Sequence, residues 1–231
     1  MTRKNRILVA SFFFSIFFGF SFGIRSETPE TVLKSSEIYE RERKSLKNYR
    51  VFQEIRSEIK NSEKSFLEKR KQYGYFLPPD RFLFFLKERN INGQNIPITN
   101  QEYEKSSKKD IVWISKEGLE KHSFSFLEED EYSIKFLVLP KVQFQGSHKG
   151  EIWIRKQNLK ILRMIKEPTI KSGNIEEYKT EIFFDLDLPY QEPSFTKLRA
   201  IYFENGVRNE IRVEALFSGY EFNVDLTKMK N

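Results

Sequence analysis

The chain has 231 residues, a formal net charge of +7, 39% hydrophobic and 32% charged residues, 23 Phe, 10 Tyr and no Cys. That size suits one domain of roughly 150–200 residues with its own core, and the aromatic content is too high for a disordered chain. The lack of Cys excludes disulfides, Cys-ligated metals, a thiol nucleophile and lipidation on an N-terminal Cys.

Residues 1–23 read as an export signal. Arg3, Lys4 and Arg6 precede an uncharged apolar run from Ile7 to Phe22, and Ser21-Phe22-Gly23 supplies a small-x-small cleavage site after Gly23. The run is also close to the lower length limit for spanning a bilayer, so an uncleaved anchor is the alternative. Either reading places residues 24–231, expected to form a single domain, outside the cytoplasm. Loss of 1–23 lowers the net charge from +7 to +4. The remaining bases are scattered in clusters such as Lys69-Arg70-Lys71 and Lys108-Lys109, without the focused stripe that nucleic-acid binding needs. Membrane contact is expected to be peripheral at most.

Thr28-Pro29-Glu30 starts a helix, and Val32, Leu33, Ser36, Tyr39, Arg43 and Leu46 fall at three- and four-residue steps. Lys34, Glu37, Glu40, Arg41 and Lys44 occupy the other side, which makes a covering helix with one apolar stripe over 28–46. After Asn48 the period changes to two. Tyr49, Val51, Ile55 and Ile59 alternate with charged residues, interrupted by Gln53 and Ser57; their four-residue spacing leaves a continued helix open as well.

Further strands are expected at Ser65–Tyr75, Arg81–Arg89, Asp110–Lys116, His122–Leu127, Tyr132–Leu139, Gly150–Arg155, Lys160–Lys166, Glu181–Leu188, Lys197–Glu204 and Val207–Phe217, about ten or eleven in all. Asn205-Gly206 and Gln157-Asn158 join their flanking strands as hairpins. A short helix is expected in Thr99–Ser107, where Thr99 and Glu102 have capping-box spacing. The fold class is α+β, mainly antiparallel β: a half-open curved sheet or barrel, built as a meander, with a covering N-terminal helix.

Motifs for chemistry are sparse. His122 and His148 lack metal-ligand spacing, and there is no G-x-S-x-G, phosphate loop or H-E-x-x-H. The acidic run Glu128–Glu131 reads as a solvated hairpin tip rather than a Ca²⁺ loop. Asp185 and Asp187, with Glu181, fall on one side of a strand and are expected to face water, opposite Ile182, Phe184 and Leu186. No catalytic residue, metal or cofactor is expected.

The strands are heavily loaded with apolar side chains. A barrel of about ten strands is wide enough for a cavity, and whether this one is hollow or filled stays open. Candidate lining residues, chosen by parity, are Val51, Ile55, Phe82, Phe84, Phe136, Ile152, Ile154, Phe184, Val213 and Phe217, with Val32, Leu33, Tyr39 and Leu46 as lid residues on the helix.

Asn48-Tyr49-Arg50-Val51-Phe52, the hairpin Gly150-Glu151-Ile152-Trp153-Ile154 with Leu159-Lys160-Ile161-Leu162-Arg163, and the closing stretch from Arg208-Asn209-Glu210-Ile211 to Phe217-Ser218-Gly219-Tyr220-Glu221-Phe222 are similar to the bacterial outer-membrane lipoprotein-sorting family. The resemblance is to LolA/LolB-like proteins, with RseB-type sensors as relatives. It implies a half-open antiparallel barrel with a helical lid, a periplasmic location and an apolar concavity for acyl chains. The expected function is then non-enzymatic binding of a lipid or an acylated lipoprotein by a monomer. The alternative is an envelope protein–protein interaction module with a filled barrel. The chain departs from the family in its polar Asn90–Ser107 stretch and in lacking a lipobox Cys.

Overall fold

The structure, a computed structural model, describes residues 28–77, 81–98, 103–106 and 112–225. The export signal at 1–23 and the Thr99/Glu102 pair lie outside the described residues.

Helix α1 (Glu30–Ser45) carries Glu30 in its first turn and Arg43 and Lys44 in its last, each matched in sign to the nearer end of the helix dipole. Its buried residues are Val32, Ser35, Ser36 and Tyr39. The small serines let the helix lie close to the sheet. Leu33, placed on the apolar stripe from the sequence, is instead 41% exposed. It stands about 100° around the helix from Val32, which takes the inward position.

The strands are β1 (Tyr49–Lys60), β2 (Ser65–Leu77), β3 (Arg81–Ile91), β4 (Gln94–Asn95), β5 (Tyr103–Ser106), β6 (His122–Glu129), β7 (Ser133–Pro140), β8 (His148–Arg155), β9 (Ile161–Pro168), β10 (Ile175–Phe184), β11 (Pro193–Glu204) and β12 (Val207–Phe222). All belong to one open sheet of order β4-β3-β2-β1-β12-β11-β10-β9-β8-β7-β6, with β5 beside β3. Every pairing is antiparallel. A pure meander would run edge to edge in sequence order, but here the chain leaves one edge after β5 and restarts at the far edge with β6. The last strand returns to pair with the first, Tyr49 opposite Phe222 through Lys60 opposite Glu210. Register shifts in five of the strand pairs add local twist and curl the sheet.

The turn chemistry holds at the tightest hairpins. Asn205 and Gly206 have φ of 51° and 80°, and Asn92 and Gly93 have 49° and 88°, the left-handed conformations a two-residue hairpin requires. Segment 49–60 is a strand, which removes the continued-helix alternative.

Three sequence expectations are corrected. Val112–Lys116 is not a strand: Trp113 and Ile114 form a turn, and helix α2 (Lys116–Lys121) follows. The physical reason is a cap, since Ser115 Oγ accepts from Gly118 N–H at 3.0 Å. Gly118 is needed there because a Cβ would stand 2.2 Å from the Trp113 carbonyl oxygen. Second, Tyr103–Ser106 is a strand paired with Phe82–Phe85, since an open sheet edge offers this segment backbone partners that a short helix lacks. Third, the strand expected at Glu181–Leu188 spans Ile175–Phe184, so Asp185 and Asp187 sit in the following turn, where Asp187 N–H donates to Asp185 Oδ1 at 3.0 Å.

Two separate cores occupy the concave side. The larger joins Val32 and Tyr39 of α1 and the Trp113–Ile114 turn to Phe124, Phe136, Val138, Ile152, Ile154, Ile161 and Met164 on β6–β9. Gly150 makes that packing possible, because a Cβ would stand 1.9 Å from the Ile165 carbonyl oxygen and 3.1 Å from the Trp113 ring. The smaller core joins Leu46, Tyr49, Val51, Phe76 and Tyr190, with Phe82, Phe217, Tyr220 and Phe222 against it.

Candidate functional site

Between the two cores the sheet encloses a concavity of about 490 Å³. That volume lies in the range of small-molecule pockets. Alternation on β1 turns Tyr49, Val51, Gln53 and Ile55 inward, and the antiparallel register sets Phe76, Gly74, Gln72 and Arg70 opposite them. Beyond Gly74 and Phe76 come Phe84 and Phe82 of β3, whose rings stack with centroids 6.0 Å apart. Gly74 keeps the floor open: a Cβ there would meet Gln53 Nε2 at 3.1 Å and the Phe84 ring at 3.2 Å. The far wall is Met164, Ile182 and Phe184, with Phe217 on β12.

Of the residues chosen from the sequence, Val51, Ile55, Phe82, Phe84, Phe184 and Phe217 are brought together around this concavity. Phe136, Ile152 and Ile154 are not. They are 0–2% exposed in the larger core, where α1 and the Trp113–Ile114 turn fill the space above them. Val213 lies farther along β12, opposite Ser57 and Leu198, and borders a polar groove with Lys179, Arg199 and Arg212. On the helix, Val32 and Tyr39 belong to the larger core and Leu46 to the smaller, so the helix bridges the two and stands over neither edge alone.

One end of the concavity is polar and dry. Arg43 Nη2 lies 2.5 Å from Glu192 Oε1, with the two side chains 15% and 3% exposed. Tyr49 Oη donates to Glu192 Oε2 at 3.0 Å, and Arg43 Nη2 also donates to the Gln191 carbonyl at 3.4 Å. Gln191 Oε1 accepts from Ile161 N–H at 2.9 Å, tying the β10–β11 connection to β9. Ser45 Oγ lies 3.2 Å from Tyr190 Oη, and Lys160 Nζ lies 3.3 Å from Glu42 Oε1. The last turns of α1 are thus pinned to residues 188–192 by polar contacts.

Burial pushes the Tyr49 hydroxyl well above the ordinary tyrosine range, with the Glu192 charge adding to it; Tyr39 and Tyr220 move the same way, chiefly by burial. Burial opposes the Arg43 charge, but Glu192 and the neighbouring tyrosines more than offset this and raise its pKa. At neutral pH the corner therefore holds a charged guanidinium and neutral phenols. On the floor, Gln72 Nε2 donates to Gln53 Oε1 at 2.7 Å.

Sequence reasoning did not select Arg43, Gln53, Gln72, Gln191 and Glu192 as site residues. Arg43 and Gln53 carried a signal, since each stands as a polar residue on an otherwise apolar face. Gln191 and Glu192 lie in a connection with no period to break.

Glu181 pairs with Arg163 at 2.7 Å, and Asp185 accepts the turn N–H described above. His122 Nδ1 lies 3.0 Å from the Gly118 carbonyl. Among the described residues no cluster of three His, Cys, Asp or Glu could hold a metal ion, and no helix is long and apolar enough to cross a membrane.

No protein-family model matches the sequence, and a search of curated proteins finds no relative. Solved structures do resemble the fold. A LolA superfamily protein from Nitrosomonas europaea is 9% identical, with 89% of this chain and 98% of that one covered at a TM-score of 0.46. A putative outer membrane lipoprotein-sorting protein domain from Vibrio parahaemolyticus is 14% identical, with 86% and 96% covered at 0.44. Pseudomonas aeruginosa MucB, solved in complex with MucA, is 6% identical, with 83% and 99% covered at 0.23. The group named from the sequence is thus represented among the solved structures similar to this chain.

Proposed function

We propose that this chain is an exported, periplasmic, non-enzymatic protein that holds a lipid, or the acyl chains of a lipoprotein, in the concavity between its two cores. The observation that carries this is a lining of Val51, Ile55, Phe82, Phe84, Ile182, Phe184 and Phe217 around about 490 Å³, beside a core that is already closed. Transfer of acyl groups out of water supplies about 0.8 kcal/mol per buried CH₂, so micromolar affinity, about 8 kcal/mol, takes on the order of ten buried methylenes or more once the cost of association is met.

Purified protein is expected to carry lipid detectable by mass spectrometry after extraction, and to take up a fluorescent fatty acid saturably. Protein that is folded, lipid-free and unable to take up the probe refutes the proposal.

A second reading has its own observation. Among the described residues β6 pairs only with β7, and Phe126 and Leu127 on it are 58% and 42% exposed. An extended segment of an envelope protein could add to that edge. A partner captured from envelope extracts that binds equally well after delipidation, and that is lost on Phe126→Lys, favours this reading over lipid carriage.

A further inference from the structure

We infer that the end of the sheet at the β7–β8 turn docks on an anionic lipid bilayer: Val142, Phe144 and Ile170 enter it while Lys141, Lys149 and Lys171 meet the head groups. None of these residues lines the concavity, and the inference stands whatever that concavity holds.

The first observation is apolar side chains held in water by a fixed backbone. Val142, Phe144 and Ile170 are 71%, 52% and 47% exposed. Their turns are nonetheless well bonded. Ser147, itself buried, donates to the Phe144 carbonyl from its N–H at 3.0 Å and from its Oγ at 2.8 Å, and Gly146 takes the positive φ of 94° that this turn needs. Thr169 N–H donates to the Ser147 carbonyl at 2.9 Å, which ties the segment carrying Ile170 to the β7–β8 turn. Single exposed apolar residues are ordinary, but three gathered on two joined turns form a patch. Their complete burial covers on the order of 500 Å², short of the roughly 800 Å² per partner of a stable protein interface. A bilayer asks for no such area and no shape match, only that each side chain leave water.

The second observation is charge. Residues 139–149 and 168–174 contain Lys141, Lys149 and Lys171 and no Asp or Glu. All three lysines are exposed. Lys141 Nζ donates to the Leu119 carbonyl at 2.9 Å and Lys171 Nζ to the Glu176 carbonyl at 2.8 Å, contacts that steady the side chains without cancelling their charge. The acids nearby are accounted for. Glu167 stands opposite Lys149 in the sheet, the Glu176 carboxylate is paired with Arg208, and helix α2 sets Lys116 and Lys121 against Glu117 and Glu120. The turns therefore keep a positive surplus beside their apolar side chains. Each lysine at the surface of an anionic membrane strengthens binding about fivefold, and salt screens the attraction. Exposed apolar groups and surplus charge arise from different residues, and both fit the same surface.

The test is fluorescence of Phe144→Trp in the exported protein, with the wild-type signal subtracted. The readout is local to the turn, so it is independent of residues 1–23. Vesicles of phosphatidylcholine with about one third phosphatidylglycerol are expected to shift the emission to the blue, and brominated acyl chains to quench it, with at least about tenfold weaker binding to pure phosphatidylcholine. Lys149→Gln with Lys171→Gln is expected to weaken binding to the anionic vesicles by about tenfold or more. Val142→Ser and Ile170→Ser, on the two separate turns, are each expected to weaken it severalfold, with folding checked by circular dichroism. All these variants are expected to take up a fluorescent fatty acid as wild type does. No shift at position 144, equal affinity for neutral and anionic vesicles, or full affinity in the folded lysine variant overturns the inference. So does a protein that ignores vesicles but captures an envelope protein through Phe144, which would assign the patch to a protein partner.

Discussion

Arg43 and Glu192 are a buried pair whose partners come from opposite ends of the chain, and such pairs are worth little net but much when halved. Glu192→Gln leaves the Arg43 guanidinium buried without its counter-charge and is expected to cost about 3–5 kcal/mol in urea unfolding. Gly150→Ala drives a methyl into the Ile165 carbonyl and is expected to destabilise by about 3 kcal/mol or more, whereas Gly173→Ala, with open space around it, is expected to stay within about 1 kcal/mol. His122 sets a pH dependence. Burial, reinforced by Lys166, Lys121 and His148, holds its pKa below 6.5 despite the opposing hydrogen bond to the Gly118 carbonyl. The unfolded chain therefore binds the proton more readily. Stability is fully present above about pH 6.5 and falls as pH drops through the folded pKa. The lowered carboxylates of Glu58, Asp130 and Glu210 act at lower pH, below their own ordinary values of 4.5 and 3.8. Thermal melts between pH 7.5 and 5 are expected to show a decline in wild type that is absent in His122→Gln. A polar residue on an apolar face, as at Arg43 and Gln53, was legible from sequence. The partner of Arg43 was not, since Glu192 lies in a connection far along the chain and no local pattern encodes their meeting.

At the scale of elements, period-two alternation located the strands because each has one wet and one dry face, and positive-φ Asn-Gly turns located their hairpins. Two segments misled. The apolar run through Trp113 and Ile114 has the composition of a strand, yet it is buried as a turn, with both side chains at 0–1% exposure. The informative signal was Ser115 with Gly118 three residues on, a cap rather than an alternation. Ser115→Ala is expected to cost about 1 kcal/mol by removing that cap, read as a shift in the urea midpoint with unchanged slope. The Tyr103–Ser106 strand was misread as a helix because its identity comes from the β3 edge it joins and not from its own residues.

For the whole molecule, the sequence showed an excess of apolar strand surface but not how it divides, and the division is what matters. One half is closed over by α1 and the Trp113–Ile114 turn, and the other is left concave. The division follows from topology. The crossover after β5 brings Trp113 and Ile114 onto the β6–β9 half, and among the described residues nothing equivalent covers the floor formed by β1–β3. Substitutions on the two sides are therefore expected to part company. Ile152→Ala opens a void in a filled core and is expected to cost about 2–5 kcal/mol without changing acyl uptake per folded molecule. Phe84→Ala is expected to cost about 1–2 kcal/mol and to weaken uptake severalfold. The most direct measurement is titration of a fluorescent fatty acid into wild type and Ile182→Trp, a variant that plugs the concavity from β10. Saturation near one probe per wild-type chain, with at least a tenfold loss in the folded variant, is the predicted result; no saturable uptake by folded wild type, or equal uptake by both, contradicts a concavity built to receive an acyl chain.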